Sequence, residues 1–149
     1  MFHAYLPLVP LTVAGAFAFR KRTLAYGLPV LLVLVKTLFT APYVISLFTL
    51  ASLLAAVFLA RTVRAREGDS WKAILASALL GVFAYDLVVN FGVWILGGCV
   101  FSRPPMYSHT ITGLAQCYVK NLPYAATHLL KEVPLAVLLA KGAHLLSRW

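Results

Sequence analysis

Residues 72–98 read KAILASALLGVFAYDLVVNFGVWILGG, and this stretch decides the fold. After the opening lysine it contains one charged side chain, Asp86, and one carboxamide, Asn90, among apolar, small and aromatic residues. At ~1.5 Å per residue, a helix of this length crosses a ~30 Å hydrocarbon core. The stretch lacks the polar face that a helix on a soluble protein shows at 3.6-residue spacing. It is therefore predicted to be a transmembrane helix with Asp86 near its middle.

The composition extends this prediction to the whole chain. Its 149 residues are 62% hydrophobic and 11% charged, whereas soluble domains contain roughly 25% charged residues; the mean hydropathy is +0.88. We expect an all-α, polytopic transmembrane helical bundle of five to six spans, forming a single integral membrane domain over residues 1–149. The spans are predicted at residues 4–19, 24–40, 43–60, 73–98, 111–126 and 128–146.

Basic residues flank the predicted spans unevenly, and this predicts the orientation. Loops 20–23 and 61–72 are rich in Lys and Arg, whereas the opposite side has Arg103 in its loops and Arg148 at the tail. The positive-inside rule places both basic loops in the cytoplasm and the chain in the cell (inner) membrane. With six spans, both ends of this chain face outward. Because the net charge of +9 arises from this flanking pattern, the expected partner is the lipid bilayer and not nucleic acid.

Polar side chains inside the predicted spans form the candidate ligand-binding site. Lys36 and Asp86 each lie 14 residues beyond the basic residue at which their span enters the membrane. They are therefore at equal depth, and their opposite charges suggest an ion pair if the two helices are neighbours. Asp86, Asn90 and Trp94 follow one another at four-residue spacing, which places them on one helix face. An acid at this depth costs roughly 2.5–3.5 kcal/mol on insertion scales, so it needs a partner, a proton or water.

Three interpretations of this set stay open. In the first, Lys36 and Asp86 neutralise each other, and Asn90 forms a hydrogen bond with a neighbouring backbone. In the second, these three residues and Trp94 line a ligand pocket in the outer half of the membrane. In the third, the set relays protons.

A second polar group is predicted nearer the inner side. It consists of Lys120, Lys131 and Glu132. Lys131 and Glu132 are expected to snorkel to the membrane interface, because long charged side chains keep their charged ends in water.

Patterns for catalysis and metal binding are weak. His109 and Cys117 are eight residues apart, and nothing in this spacing indicates an activated nucleophile. The other histidines are too scattered for a metal site, and there is no phosphate-binding loop. We therefore expect no enzymatic activity, no cofactor and no metal, while a disulfide between Cys99 and Cys117 near the outer face stays open.

Small residues recur at four-residue spacing on three of the predicted spans. They are Ala14 and Ala18, Ala51 and Ala55, and Ala73, Ser77 and Gly81. Such faces let helix backbones approach closely, and they predict either packing within one bundle or docking of a partner protein.

Two stretches resemble a family of small bacterial integral membrane proteins of unknown function. Residues 89–94, VNFGVW, are similar to the family's TNFGVW at the end of one helix, and residues 112–124, TGLAQCYVKNLPY, are similar to its AGLxACYVAAIPFF segment. Residues 10–26, PLTVAGAFAFRKRTLAY, resemble the region around the family's basic turn. Members usually carry a further apolar helix before this last region.

The family is in turn distantly similar to the substrate-binding S components of energy-coupling-factor transporters, six-helix proteins that hold a vitamin or metal ion near the outer side. The resemblance implies a substrate-binding, S-component-like subunit for small-molecule uptake, which docks on a transmembrane coupling protein driven by ATPases. The alternative is a non-transporting membrane subunit that packs against a partner protein.

Overall fold

The computed structural model describes residues 7–39, 45–96 and 107–146, and these ranges form five α-helices and no β-strand. The all-α prediction is confirmed. The helices are α1 Leu8–Ala18, α2 Arg22–Phe39, α3 Ile45–Glu67, α4 Trp71–Leu96 and α5 Ile111–Leu146. Of these, α3 and α4 are long and apolar enough to cross a membrane, so the predicted five to six spans are not confirmed.

Helix α1 lies at the centre of the bundle and contacts each of the other four helices. Nine of its eleven residues are buried. A helix that is apolar on every side is stable only when it is covered on every side, and α1 has that pattern. It is about 16 Å long, roughly half of a ~30 Å hydrocarbon core, and it therefore does not cross a membrane by itself.

The surrounding helices place small residues inside and large apolar residues outside. Ala56 and Ala136 are fully buried, whereas Leu38, Phe83 and Leu130 are 82%, 65% and 77% exposed. A soluble protein rarely leaves so much apolar surface uncovered. Close packing through small residues with apolar side chains turned outward is typical of helices packed in lipid.

The small-residue face of α4 packs inside the chain. Ala73 is 1% exposed and Ser77 is fully buried. A methyl group added at Gly81 would lie 3.2 Å from Val13 and 3.3 Å from Val9, both on α1. The absence of a side chain at Gly81 thus allows the two backbones to approach, and for α4 the small residues pack the bundle.

The residues of the fifth and sixth predicted spans lie in one continuous helix, α5, of 36 residues. The expected reversal of the chain between 126 and 128 is wrong, because no glycine or polar loop interrupts the helix there. Pro123 lies inside the helix, and the hydroxyl of Thr127 donates to its carbonyl oxygen at 2.9 Å. This bond lies in the turn that follows Pro123, and membrane helices tolerate prolines inside them.

Two arginines of α3 cap the C-terminal end of α1. Arg61 donates to the carbonyl oxygens of Phe19 at 3.2 Å and Arg20 at 3.4 Å. Arg64 donates to the carbonyl oxygen of Ala16 at 3.1 Å. The last carbonyl groups of a helix have no partner within it, and cations near this end also interact favourably with the negative end of the helix dipole. The ends of α1 and α3 therefore lie together.

A short turn joins α3 to α4 at the same end of the bundle. Gly68 has φ +69°, a left-handed conformation that glycine adopts without strain, and its N–H donates to the carbonyl oxygen of Arg64 at 2.8 Å. The hydroxyl of Ser70 accepts from the N–H of Ala73 at 3.1 Å, which is an N-cap of α4. Asp69 forms an ion pair with Arg64.

Candidate ligand pocket between α4 and α5

Helices α4 and α5 are joined by side chains of α5 that donate to carbonyl oxygens of α4. The hydroxyl of Tyr118 donates to the carbonyl oxygen of Leu87 at 2.8 Å. One turn away, the thiol of Cys117 donates to the carbonyl oxygen of Asn90 at 3.5 Å. The second of these contacts connects residues 112–124 of α5 with residues 89–94 of α4.

At its C-terminal end, α4 is held to the segment before α5 through Trp94. The indole N–H donates to the carbonyl oxygen of Ser108 at 3.0 Å. The indole also meets the ring of His109 edge-on, with centroids 6.1 Å apart, and lies 5.6 Å from the ring of Phe91. Trp94 thus connects the end of α4 to the residues that directly precede α5.

A pocket of about 150 Å³ lies between the two helices beyond this contact. Its walls repeat at helical spacing on both sides, at positions 82, 83, 86, 87 and 90 of α4 and positions 118, 121, 122, 125 and 129 of α5. Most of the lining is apolar. Phe83 and Leu122 are 65% and 63% exposed, so the pocket opens on the outer, apolar surface of the bundle.

Asp86 is the charged residue of this lining, and its partner is His128 on α5. The Nδ1 atom of the imidazole lies 2.9 Å from Oδ1 of the carboxylate, and the two side chains are 32% and 14% exposed. Within the residues that the structure describes, the second carboxylate oxygen receives no hydrogen bond. The ring of Tyr85 meets the imidazole edge-on at 6.3 Å.

Asn90, one turn beyond Asp86, lines the same pocket and is 9% exposed. Its side-chain Nδ2 donates to the backbone carbonyl oxygen of Asp86 at 2.6 Å. One of the two amide N–H groups is therefore used within α4, as in the interpretation in which Asn90 bonds to backbone.

The four predicted pocket residues do not all meet. Asp86 and Asn90 line the pocket, whereas Trp94 lies at the contact with Ser108 and is not part of the lining. Lys36 is on α2, and no Cα atom of α2 lies within 8 Å of a Cα atom of α4. The condition for a Lys36–Asp86 ion pair is not met, because α2 packs on α1 and α3 while α4 packs on α1, α3 and α5.

The second predicted polar group is dispersed along α5. Lys120 places its ammonium group 5.4 Å from the centre of the Tyr107 ring, whereas Lys131 and Glu132 lie about 16 Å further along the helix. Burial raises the pKa of the Tyr107 phenol, with a smaller contribution from Cys117. Lys131 is exposed, but Glu132 is only 6% exposed, so the expectation that it snorkels is wrong.

Sequence reasoning missed the residues that α5 contributes. Tyr118, Asn121, Ala125 and His128 recur at spacings of three or four residues, which marks one face of a helix. The assumed break after residue 126 divided this face between two spans and hid the signal.

The cysteine and the histidine of the weak catalytic pattern, Cys117 and His109, make separate contacts in the structure. Cys117 is buried and bonds to a backbone carbonyl, while His109 contacts Trp94. The suggested Cys99–Cys117 disulfide lies outside the described residues, because Cys99 is not among them. In the described part of the chain, no three His, Cys, Asp or Glu side chains come close enough to hold a metal ion.

Comparison with known proteins gives one match. The sequence model of a family described as a family of unknown function (DUF6580) matches residues 2–149. No curated protein and no solved structure matches the chain. A family of unknown function is therefore found, as predicted, but nothing links it to the TNFGVW and AGLxACYVAAIPFF motifs or to the S components.

Proposed function

The chain belongs to the DUF6580 family, whose function is unknown, and we propose that it is a multi-pass membrane protein that binds a small molecule between α4 and α5. The observation that carries this proposal is the Asp86 carboxylate, which His128 holds in the wall of an otherwise largely apolar pocket. A few convergent polar groups in an apolar cavity are typical of small-molecule sites.

The placement in a membrane rests on the apolar exterior and on the position of the basic residues. The α1–α2 turn and the α3–α4 turn lie at one end of the bundle, since Arg61 and Arg64 connect them. These turns carry most of the flanking positive charge, which favours the cytoplasmic side of a cell (inner) membrane. Because α5 starts beside the far end of α4 and runs back, its own end is assigned to the cytoplasm, unlike in the six-span prediction.

The size of the pocket limits the ligand. A cavity of about 150 Å³ holds a molecule the size of benzene, which is smaller than most drug-sized ligands. A compact ligand in a membrane protein of this size suits a substrate-binding subunit for uptake. Such a subunit requires a coupling membrane protein and ATPases to move its ligand, and these are the partners that the proposal implies.

The alternative, a non-transporting subunit that docks a partner through small-residue faces, has less support. The faces on α1 and α4 are largely covered within the chain, since Ala14 and Ser77 are 8% and 0% exposed. Ala51 on α3 is exposed and would be the centre of any such docking surface.

Mass spectrometry of small molecules tests the proposal. Protein purified in mild detergent, washed and then denatured is expected to release a stoichiometric small molecule. Ala125→Leu adds three carbon atoms in the pocket wall and should abolish the release, whereas Ala115→Leu adds the same atoms at an exposed position of α5 and should not. Release that is absent from the wild-type protein, or equal in both variants, would count against binding at this pocket.

A further inference from the structure

We propose that the ligand of this pocket is a compact organic cation with an apolar body, which reaches Asp86 from the lipid through the gap between α4 and α5. This inference rests on the proposed function and adds the chemical class of the ligand and its route.

The charge of the pocket selects for a donor. Its neutral polar side chains are Asn90, Tyr118 and Asn121, and two of them already donate to α4: Asn90 to the carbonyl oxygen of Asp86 at 2.6 Å and Tyr118 to that of Leu87 at 2.8 Å. The Asp86 carboxylate offers an oxygen atom that makes no hydrogen bond within the described residues. An ammonium group fits this acceptor in charge and in hydrogen bonding, whereas a carboxylate ligand would be repelled.

His128 has a positioning role in this arrangement. Its Nδ1 atom lies 2.9 Å from Oδ1 of Asp86, so one carboxylate oxygen is fixed and the other is left for the ligand. When the imidazole is neutral, the pair carries a net charge of −1 and attracts a cation. Glutamine at position 128 retains a donor, whereas leucine does not.

The remainder of the pocket favours an apolar body and access from the bilayer. Asp86 is the one charged residue among its ten lining residues. The rim is formed by Phe83, Leu87, Leu122 and Leu129, which are 65%, 47%, 63% and 40% exposed. A ligand that passes this rim comes from lipid and not from water. An amphiphile suits this entry, because its apolar body fits the rim and the apolar lining while its charged group reaches Asp86.

Three probes that share a cyclohexane ring separate the effect of charge from that of the apolar body. Cyclohexylamine, cyclohexanol and cyclohexanecarboxylate would each be titrated against the full chain in lipid nanodiscs and followed by saturation-transfer difference NMR. We expect the amine to bind at least ten times more tightly than the alcohol, and the carboxylate not to bind. Ala125→Leu should remove the saturable binding of every probe.

Variants then assign the preference to Asp86. Asp86→Asn should make the amine bind no better than the alcohol, whereas Asp69→Asn, the same change outside the pocket, should leave the tenfold preference intact. His128→Gln should retain most of the preference and His128→Leu should reduce it. If Asp86→Asn does not fold, the comparison of amine with alcohol on the wild-type protein still decides.

The outcomes separate the two proposals. Equal, saturable binding of amine and alcohol that Ala125→Leu removes would overturn the cation and leave the binding function standing. In a second outcome, the preference for the amine persists in Asp86→Asn, and this would overturn the assignment of the cation to the Asp86 carboxylate. No saturable binding of any of the three probes, together with no molecule released on denaturation, would overturn both proposals.

Discussion

The pairing of Asp86 with His128 leads to a quantitative prediction. A double-mutant cycle with Asp86→Asn and His128→Leu, which leaves no donor at position 128, should give a coupling free energy of about 1 to 1.5 kcal/mol. Interhelical hydrogen bonds in membrane proteins average ~0.6 kcal/mol and reach ~1.7 kcal/mol. The 2.9 Å contact has a charged acceptor, which strengthens it, while the 32% exposure of the imidazole keeps it below the strongest values.

The cycle would be measured by reversible unfolding in mixed micelles of mild detergent and SDS, with helix content followed by circular dichroism. A control cycle pairs Asp86→Asn with Lys36→Met, the pair that equal membrane depth suggests. Because α2 does not contact α4, these two effects should add to within ~0.5 kcal/mol. A coupling for His128 no larger than that for Lys36 would refute the assigned pairing.

Two further changes probe the packing that supports the pocket. Arg64→Ala removes a hydrogen bond to the end of α1 and an ion pair, and it should lower the free energy of unfolding by about 2 kcal/mol. The control Arg66→Ala, at an exposed position of α3, should change the free energy of unfolding by less than ~0.5 kcal/mol. Equal losses for both variants in the same SDS titration would contradict the capping role of Arg64. Gly113→Ala places a methyl group against the backbone of the preceding turn, and it should destabilise the protein by about 1–3 kcal/mol. Gly142 has open space around it, so Gly142→Ala should stabilise the protein by about 0.5–1 kcal/mol. The reverse order of the thermal stabilities of the two variants would be inconsistent with this geometry.

The sequence was informative where one helix determined the answer. Residues 73–98 were predicted as a helix and α4 is Trp71–Leu96, because a long apolar stretch without helix breakers has few other conformations. Asp86 and Asn90 were predicted to share a face because they are four residues apart, and both line the pocket. Such inferences depend on helical periodicity, which is local.

The partner of Asp86 could not be predicted in the same way. Depth along a helix says nothing about which helices are neighbours, so equal depth and opposite charge indicate Lys36 and do not point to His128. Nothing in the sequence indicates that the 11-residue α1 contacts all four of the other helices. In α5, two prolines suggested an interruption, but the backbone continues through Pro123 and Pro134, since single missing N–H groups do not force the chain to reverse.

The central position of α1 sets an order for the assembly of the protein. During synthesis α1 leaves the ribosome before the helices that surround it, and the arginines that cap its end follow 42 and 48 residues after the carbonyl groups they bind. Ala136 and Ala140, buried in the same core, follow later still. Because Arg61 and Arg64 belong to α3, the end of α1 acquires these partners only after α3 has been synthesised. The first helix in the described chain is therefore among the last to complete its native contacts.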